Sequence, residues 1–163
     1  MRIAIISDTH LPRGAKRLPD RCVQQLRGAE IIVHAGDFNS LAVLEELRTF
    51  GPDVVAVHGN VDSPGLRAEL PERAEFEAHG TRIGLIHDAG PGHRRLERMQ
   101  RRFPDTDAVI FGHSHIPLHE RGEDGFQIFN PGSPTEKRRA PGHTMGIARV
   151  QRGRISFELI GLD

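Results

Sequence analysis

Several features that are common in proteins are scarce or absent in this sequence of 163 residues. Cys22 is the only cysteine, which excludes an internal disulfide framework. No apolar run approaches the roughly 18 residues that a membrane-spanning helix needs. The chain opens on a short β-branched run and has no signal-peptide core. We therefore expect a cytoplasmic protein with no membrane partner, in which Cys22 is a small, buried or half-buried thiol on a helix.

The sequence also has no excess of positive or negative charge. Lys plus Arg and Asp plus Glu both number 22, so the net charge is zero and nothing draws the chain toward nucleic acid at long range. A hydrophobic fraction of 37% and a charged fraction of 27% are typical of globular proteins, and the length favours a single domain over residues 1–163. What the chain does have is ten histidines, a high count.

The first half alternates strand and helix patterns. Strands are predicted over Ile3–Ile6, Ile31–Val33 and Val54–Val57, because each is a short run rich in β-branched residues. Helices are predicted from Pro19 to about Arg27 and after the N-cap candidate Ser40. Such βαβ units imply a parallel sheet.

The second half changes character. It predicts a hairpin over Arg73–Ala78 and Thr81–His87, a helix over about His93–Phe103 and a strand over Ala108–Phe111. Antiparallel strands are then predicted over Phe126–Phe129, Thr144–Val150 and Arg154–Ile160, with turns at Gly125 and Gly153. The sequence therefore predicts an α/β protein with mixed sheets.

Polar residues of metal-binding type follow five of the predicted strands where each strand ends. They are Asp8 and His10, His34 and Asp37, Asn60 and Asp62, His87, and His113 and His115. The carboxyl ends of strands are where open α/β sheets bind ligands, and a strand end is a rigid mount for a ligating side chain. We therefore expect these segments to meet in one metal site.

The chemistry of this set restricts the metal. Carboxylate, amide and imidazole groups without thiolate suit Mn, Fe, Ni, Co or Zn. Seven candidate ligands are too many for one tetrahedral ion and suit two divalent metal ions that share a bridging carboxylate: Asp8, His10, Asp37, Asn60, His87, His113 and His115. Two such ions can clamp a displacement at phosphorus.

The order Asp-x-His, Gly-Asp, Gly-Asn-x-Asp, His after a strand and Gly-His-x-His resembles the calcineurin-like metallophosphoesterases, and among them the small YfcE-type phosphodiesterases. The resemblance runs from Met1 to the turn Asn130-Pro131-Gly132-Ser133. It implies a four-layer α/β/β/α sandwich. It also implies that Asp8, His10 and His115 hold a first metal, that Asn60, His87 and His113 hold a second, and that Asp37 bridges them.

The resemblance further implies hydrolysis of small phosphodiesters or nucleotides by a metal-bridging hydroxide, with Mn as the first metal to test and a homodimer as the expected assembly. A metal-binding interaction scaffold is the alternative, since the same family includes an endosomal coat subunit. A nuclease is the least favoured function, because the neutral charge gives no nucleic-acid footprint.

Two positions depart from the family pattern. Val61 stands where many relatives have a histidine that protonates the leaving group, so we expect good leaving groups or another donor. Asp62, if protonated, and His58 are the nearby donors. His34 either lines the site, hydrogen-bonds a ligand or is a plain structural histidine, and the same alternatives hold for His58. With Asp37 and Asn60, Asp62 and His34 complete the catalytic candidates. Asp88-Ala89 replaces the usual Gly-His after His87.

The remaining charged and histidine residues have plainer interpretations. A solvated helix face is favoured for Arg94, Arg95, Arg98, Arg101 and Arg102 over a phosphate-binding role. Substrate contact is a weak hypothesis for Arg13, Lys16 and the run 137–139. We expect the remaining four histidines at the surface: His79, His93, His119 and His143.

Overall fold

Ten strands and four helices make up the fold in a computed structural model that describes residues 1–163. In chain order they are β1 (Arg2–Ile6), α1 (Asp20–Arg27), β2 (Ile31–His34), α2 (Leu41–Arg48), β3 (Asp53–Ala56), α3 (Pro64–Glu69), β4 (Arg73–Ala78), β5 (Thr81–Ile86), α4 (Arg95–Arg102), β6 (Ala108–Ile110), β7 (Leu118–Arg121), β8 (Gln127–Asn130), β9 (Thr144–Gln151) and β10 (Arg154–Gly161).

The strands form two five-stranded sheets. The first has the order β10-β9-β1-β2-β3, in which β1, β2 and β3 are parallel and β9 and β10 are antiparallel. The second has the order β4-β5-β6-β8-β7, with a parallel centre of β5, β6 and β8 and an antiparallel strand at each edge. The prediction of mixed sheets is confirmed.

The helices cover the outer faces of both sheets. In β1, Ala4 and Ile6 face the core beneath α1 and α2, whereas Ile3 and Ile5 face the core between the sheets. This alternation follows from the two-residue period of a strand. A third core lies between the second sheet and α4 around Met99. The layers are therefore α/β/β/α, as the resemblance implies.

The predicted helices form with small changes at their ends. α1 begins after Pro19 and stops before Gly28, and Cys22 on its inner face is fully buried. α2 begins after Ser40, although the Ser40 side chain makes no capping hydrogen bond. α4 begins at Arg95, two residues later than predicted, because Arg94 adopts a left-handed conformation with φ of 53°.

Two short elements were not predicted from the sequence. α3 has six residues and begins where Ser63 Oγ accepts a hydrogen bond from the Leu66 N–H, with Pro64 in its first turn. β7 is a four-residue edge strand paired with β8. Both are too short to give a clear period.

Parallel strands of both sheets point their carboxyl ends at one edge of the sandwich. β1, β2 and β3 end there in the first sheet, and β5, β6 and β8 in the second. None of the helices is long and apolar enough to cross a membrane.

Candidate metal centre

Three of the candidate ligands converge at this edge to form the first ligand group. Asp8 and His10 follow β1, and His115 follows β6. The two Nε2 atoms of His10 and His115 are 3.2 Å apart. Asp8 Oδ1 lies 3.9 Å from His10 Nε2 and 3.5 Å from His115 Nε2. All three side chains are buried, so the group is closed to bulk water.

The second ligand group lies beside the first. His87 Nε2 is 3.2 Å from Asp37 Oδ2 and 3.0 Å from Asn60 Oδ1. His113 Nδ1 is 3.1 Å from the same Asn60 oxygen. Asp37 and His87 are buried, whereas Asn60 and His113 are exposed. The second group therefore opens to solvent on one side.

Asp37 lies between the two ligand groups. Its Oδ2 is 3.2 Å from His87 Nε2 in the second group and 3.7 Å from His10 Nε2 in the first. Its Oδ1 accepts a hydrogen bond from the Val61 N–H at 3.0 Å, so Oδ2 is the oxygen left facing both groups.

Backbone and amide acceptors orient three of the histidines. His87 Nδ1 donates to the Ala35 carbonyl at 2.7 Å, and His115 Nδ1 donates to the Glu136 carbonyl. His10 Nδ1 lies 3.2 Å from Asn39 Oδ1. Because a carbonyl can only accept, the Nδ1 atoms of His87 and His115 carry the proton. The Nε2 atoms of both histidines point into the ligand groups; that of His115 has a free lone pair, and that of His87 lies within hydrogen-bond distance of Asp37 Oδ2.

Many of the ligands have a backbone conformation that side chains rarely adopt. The φ angles are 57° at Asp8, 44° at His10, 62° at Asp37, 72° at His113 and 62° at His115. Positive φ in a non-glycine residue costs of order 1–3 kcal/mol and concentrates at functional sites. The fold therefore holds these ligands in place at the expense of backbone strain.

Close backbone contacts make two glycines necessary beside the carboxylates. A Cβ on Gly59 would lie 2.0 Å from Asp37 Oδ1. A Cβ on Gly112 would lie 1.9 Å from Ser7 Oγ and 2.7 Å from Asp8 Oδ2. Only a residue without a side chain lets these loops come close enough for the two groups to meet.

Burial and neighbouring charges set the protonation of the ligands. Burial raises the pKa of Asp8 to about 7, against the opposing charge of His87. Burial acts in the same direction on Asp37, but the hydrogen bond and charge of His87 outweigh it and lower the pKa of Asp37 to about 2. Burial lowers the pKa of His115 to about 4. At pH 7 Asp37 is therefore ionised and His115 is neutral, as ligation requires.

The residues present fit a pair of divalent cations. Asp8 Oδ1 is buried without a hydrogen-bond donor, although it lies within 4 Å of histidine nitrogens from both groups. An unpaired buried carboxylate oxygen is costly, and a cation would satisfy it. Each group supplies carboxylate oxygen and imidazole nitrogen, the mixture that Mn, Fe, Co, Ni and Zn accept.

The other two catalytic candidates lie behind the ligands. Asp62 Oδ2 accepts hydrogen bonds from the N–H groups of Asp37 and Gly59 at 3.0 and 2.6 Å, and Asp62 Oδ1 accepts from Asn39 at 2.9 Å. His34 is fully buried: its Nδ1 accepts from the Gly36 N–H, and its Nε2 lies 3.0 Å from Thr9 Oγ1. Both side chains are committed to holding the loops that carry Asp8 and Asp37.

The positions that depart from the family pattern lie at the open side. Val61 is 43% exposed and has no proton to give. Asp88 is exposed, with Oδ2 4.0 Å from His113 Nε2. A cleft of about 430 Å³ opens beside Asn60 and His87, and its wall includes His58, Arg67 and Arg102. The second ligand group is therefore the one that a ligand in this cleft would reach.

Several residues that hold the candidate ligands or their loops in place were not predicted from the sequence. Asn39 orients His10, and Arg67 donates to the carbonyls of Gly59, Asn60 and Asp62. In the basic run, Arg95 and Arg98 donate to loop carbonyls between residues 89 and 93, so they stabilise the loop after His87 in addition to facing solvent. These side chains lie outside any strand-end pattern.

A four-layer α/β sandwich with carboxylate, amide and imidazole groups gathered at its strand ends defines a metallophosphoesterase fold and site. The chain belongs to the calcineurin-like phosphoesterase superfamily, whose domain model matches residues 1–153.

Individual relatives agree with this assignment. The chain is 37% identical to a probable metallophosphoesterase of Methanothermobacter thermautotrophicus over 98% of this chain and 92% of that protein. It is 29% identical to a phosphodiesterase of Methanocaldococcus jannaschii over 81% of this chain and 83% of that protein. The crystal structure of Vps29 complexed with Zn²⁺ from Entamoeba histolytica superimposes with a TM-score of 0.79 at 21% identity over 100% of both chains, which is a similarity of fold.

Proposed function

We propose that this protein is a two-metal phosphodiesterase that hydrolyses small phosphodiesters. The observation that carries the proposal is the position of Asp37, whose Oδ2 lies within 4 Å of histidine nitrogens from both ligand groups. In this assignment the first ion is held by Asp8, His10 and His115 and the second by Asn60, His87 and His113, with Asp37 shared.

When bound, two such ions lower the pKa of water and stabilise charge on phosphoryl oxygens. The protein itself positions the ligand side chains and sets their protonation states. Asp62 fixes the loops that present Asp37 and Asn60, and His34 fixes Thr9 between the first two ligands. We therefore assign Asp62 and His34 positioning roles, in place of the donor role considered for Asp62.

The cleft supports a small substrate. Its volume of about 430 Å³ is in the range of small-molecule sites, and it adjoins the exposed second ligand group. Arg102 on its wall forms no ion pair with any acidic residue, so it is available to a phosphate-bearing ligand. Because Val61 gives no proton, substrates with good leaving groups are favoured.

The proposal is tested by hydrolysis of bis-p-nitrophenyl phosphate with metal-stripped protein titrated with Mn²⁺. Asn60→Ala removes the oxygen that lies between His87 and His113, and Gln24→Ala, which removes an exposed amide from α1, is the matched control. We expect turnover that depends on Mn²⁺, survives in Gln24→Ala and is lost in Asn60→Ala. Absence of turnover with Mn²⁺, Fe²⁺, Co²⁺, Ni²⁺ or Zn²⁺ in folded protein would instead favour the metal-binding scaffold.

A further inference from the structure

One carboxylate outside the seven candidate ligands lies against the first ligand group. Glu136 is in the loop after β8, and its Oε2 is 3.6 Å from His10 Nε2. The ligand atoms of that group keep distances of 3.2 to 3.9 Å among themselves. Glu136 therefore approaches His10 as closely as an accepted ligand does.

The Glu136 oxygen that lies near His10, Oε2, has no hydrogen-bond partner. Only three buried side-chain polar atoms in the chain lack one: Asp8 Oδ1, Thr81 Oγ1 and Glu136 Oε2. Two of these three face the same ligand group. A guanidinium nitrogen of Arg138 lies 3.7 Å from this oxygen, beyond hydrogen-bond distance, and the Arg138 side chain is about half exposed. A buried carboxylate oxygen without a donor is costly, and a cation would satisfy it. Asp8, His10 and His115 form the compact set of ligand atoms, and Glu136 lies beside that set, so its flexible side chain must turn toward Asp8 to share their ion.

The loop that carries Glu136 is fixed to the site. Ser133 Oγ donates to the Asp8 carbonyl at 2.8 Å and accepts from the Glu136 N–H at 2.9 Å. Thr135 Oγ1 donates to the Thr9 carbonyl at 2.6 Å, and the Glu136 carbonyl accepts from His115 Nδ1. The fold thus fixes the backbone of Glu136 beside the first ligand group.

We propose that Glu136 is an eighth protein ligand, bound to the ion that Asp8, His10 and His115 hold. This inference rests on the proposed two-metal site. A third carboxylate around two divalent ions lowers the net charge of ions and carboxylates from +2 to +1 and adds an oxygen ligand to the first ion. Glu136 is then a determinant of metal affinity at the first ion.

Calorimetric titration of metal-stripped protein with Mn²⁺ tests the assignment. We compare wild type with Glu136→Gln and with Glu120→Gln, a matched change on β7 away from the site. One of two binding events should weaken at least about tenfold in Glu136→Gln, because ligands and their supports typically change affinity by this factor or more. The other event, and both events in Glu120→Gln, should match wild type.

Thermal unfolding separates ligation from a structural role. Without metal, Glu136→Gln should unfold at a Tm close to that of wild type, because it removes both an oxygen that lacks a hydrogen-bond donor and a long ion pair with the half-exposed Arg138, and its gain in Tm on adding Mn²⁺ should be smaller. A lower Tm without metal, or wild-type affinity for both ions, would overturn the assignment. A loss of affinity in Arg138→Gln equal to that in Glu136→Gln would also overturn it. Wild-type protein that binds no pair of ions would refute the two-metal site itself.

Discussion

Substituting Gly59 by alanine should disable the metal centre through one added methyl group. The new Cβ would lie 2.0 Å from Asp37 Oδ1 and 2.5 Å from the Asp37 nitrogen. An ordinary contact needs about 3.4 Å, so Asp37 or the Gly59 loop must move by roughly 1.4 Å. Gly59 has no positive φ, so alanine does not strain its own backbone and the collision alone causes the effect.

The magnitudes follow from that displacement. Asp37 faces both ligand groups, so both Mn²⁺ affinities should fall, by about 100-fold if the loss matches the upper range for disturbed ligand supports. Overpacking of this kind typically costs about 1–3 kcal/mol. In a chain of this length that corresponds to a decrease in Tm of about 2–12 °C without metal.

Calorimetric titration with Mn²⁺ and thermal unfolding measure the two effects. Gly65→Ala is the matched control, because a Cβ there meets only Leu41 Cδ2 at 3.9 Å and Ser63 Oγ at 4.0 Å. Gly65 lies within α3, where alanine is favoured by about 0.5–1 kcal/mol, so Tm should stay equal or rise. Two wild-type binding events in Gly59→Ala would refute the reasoning that this contact determines the position of Asp37.

Two further predictions concern the ligands themselves. Asp37→Ala should remove both ions and His115→Ala mainly one, which elemental analysis of dialysed protein would reveal; equal metal content in wild type and Asp37→Ala would contradict the shared position of Asp37. Burial raises the pKa of Asp8 to about 7. Burial opposes the shift at His87, but its hydrogen bond to Asp37 and the charges of Asp8 and Asp37 raise the pKa of that imidazole. Mn²⁺ must displace these protons below pH 7, so its affinity should fall by up to about tenfold per pH unit for each displaced proton and depend less on pH above 7. Mn²⁺ titrations between about pH 5.5 and 8 check this, and a constant affinity over that range would contradict it.

The layout of the candidate site was largely predictable because its candidate ligands lie at strand ends. Five apolar runs each end in an Asp, Asn or His, and parallel strands bring those ends to one edge. The predicted ligand sets meet in the structure as two groups, with Asp37 between them. The position of a strand end is determined by the strand pattern, so the sequence carries this information locally.

The supporting residues were less predictable because tertiary contacts alone determine their roles. The position of Asp62, two residues after Asn60, suggests a proton donor. In the fold its carboxylate instead accepts hydrogen bonds from three backbone N–H groups. Glu136 lies in a loop with no strand-end signal and reaches His10 because Ser133 and Thr135 bind the β1 loop. Nothing in the local sequence of 131–136 indicates that approach.

The two sheets contribute unequal but complementary halves of the metal centre. Asp8, His10, Asp37 and Asn60 extend from the first sheet, and His87, His113 and His115 from the second. Bound ions would therefore act as removable cross-links between the sheets, joining positions such as His10 and His115 that are 105 residues apart. In a chain that cannot form an internal disulfide, metal content would then control how tightly this edge of the sandwich is closed, while the apolar core between the sheets holds the rest together.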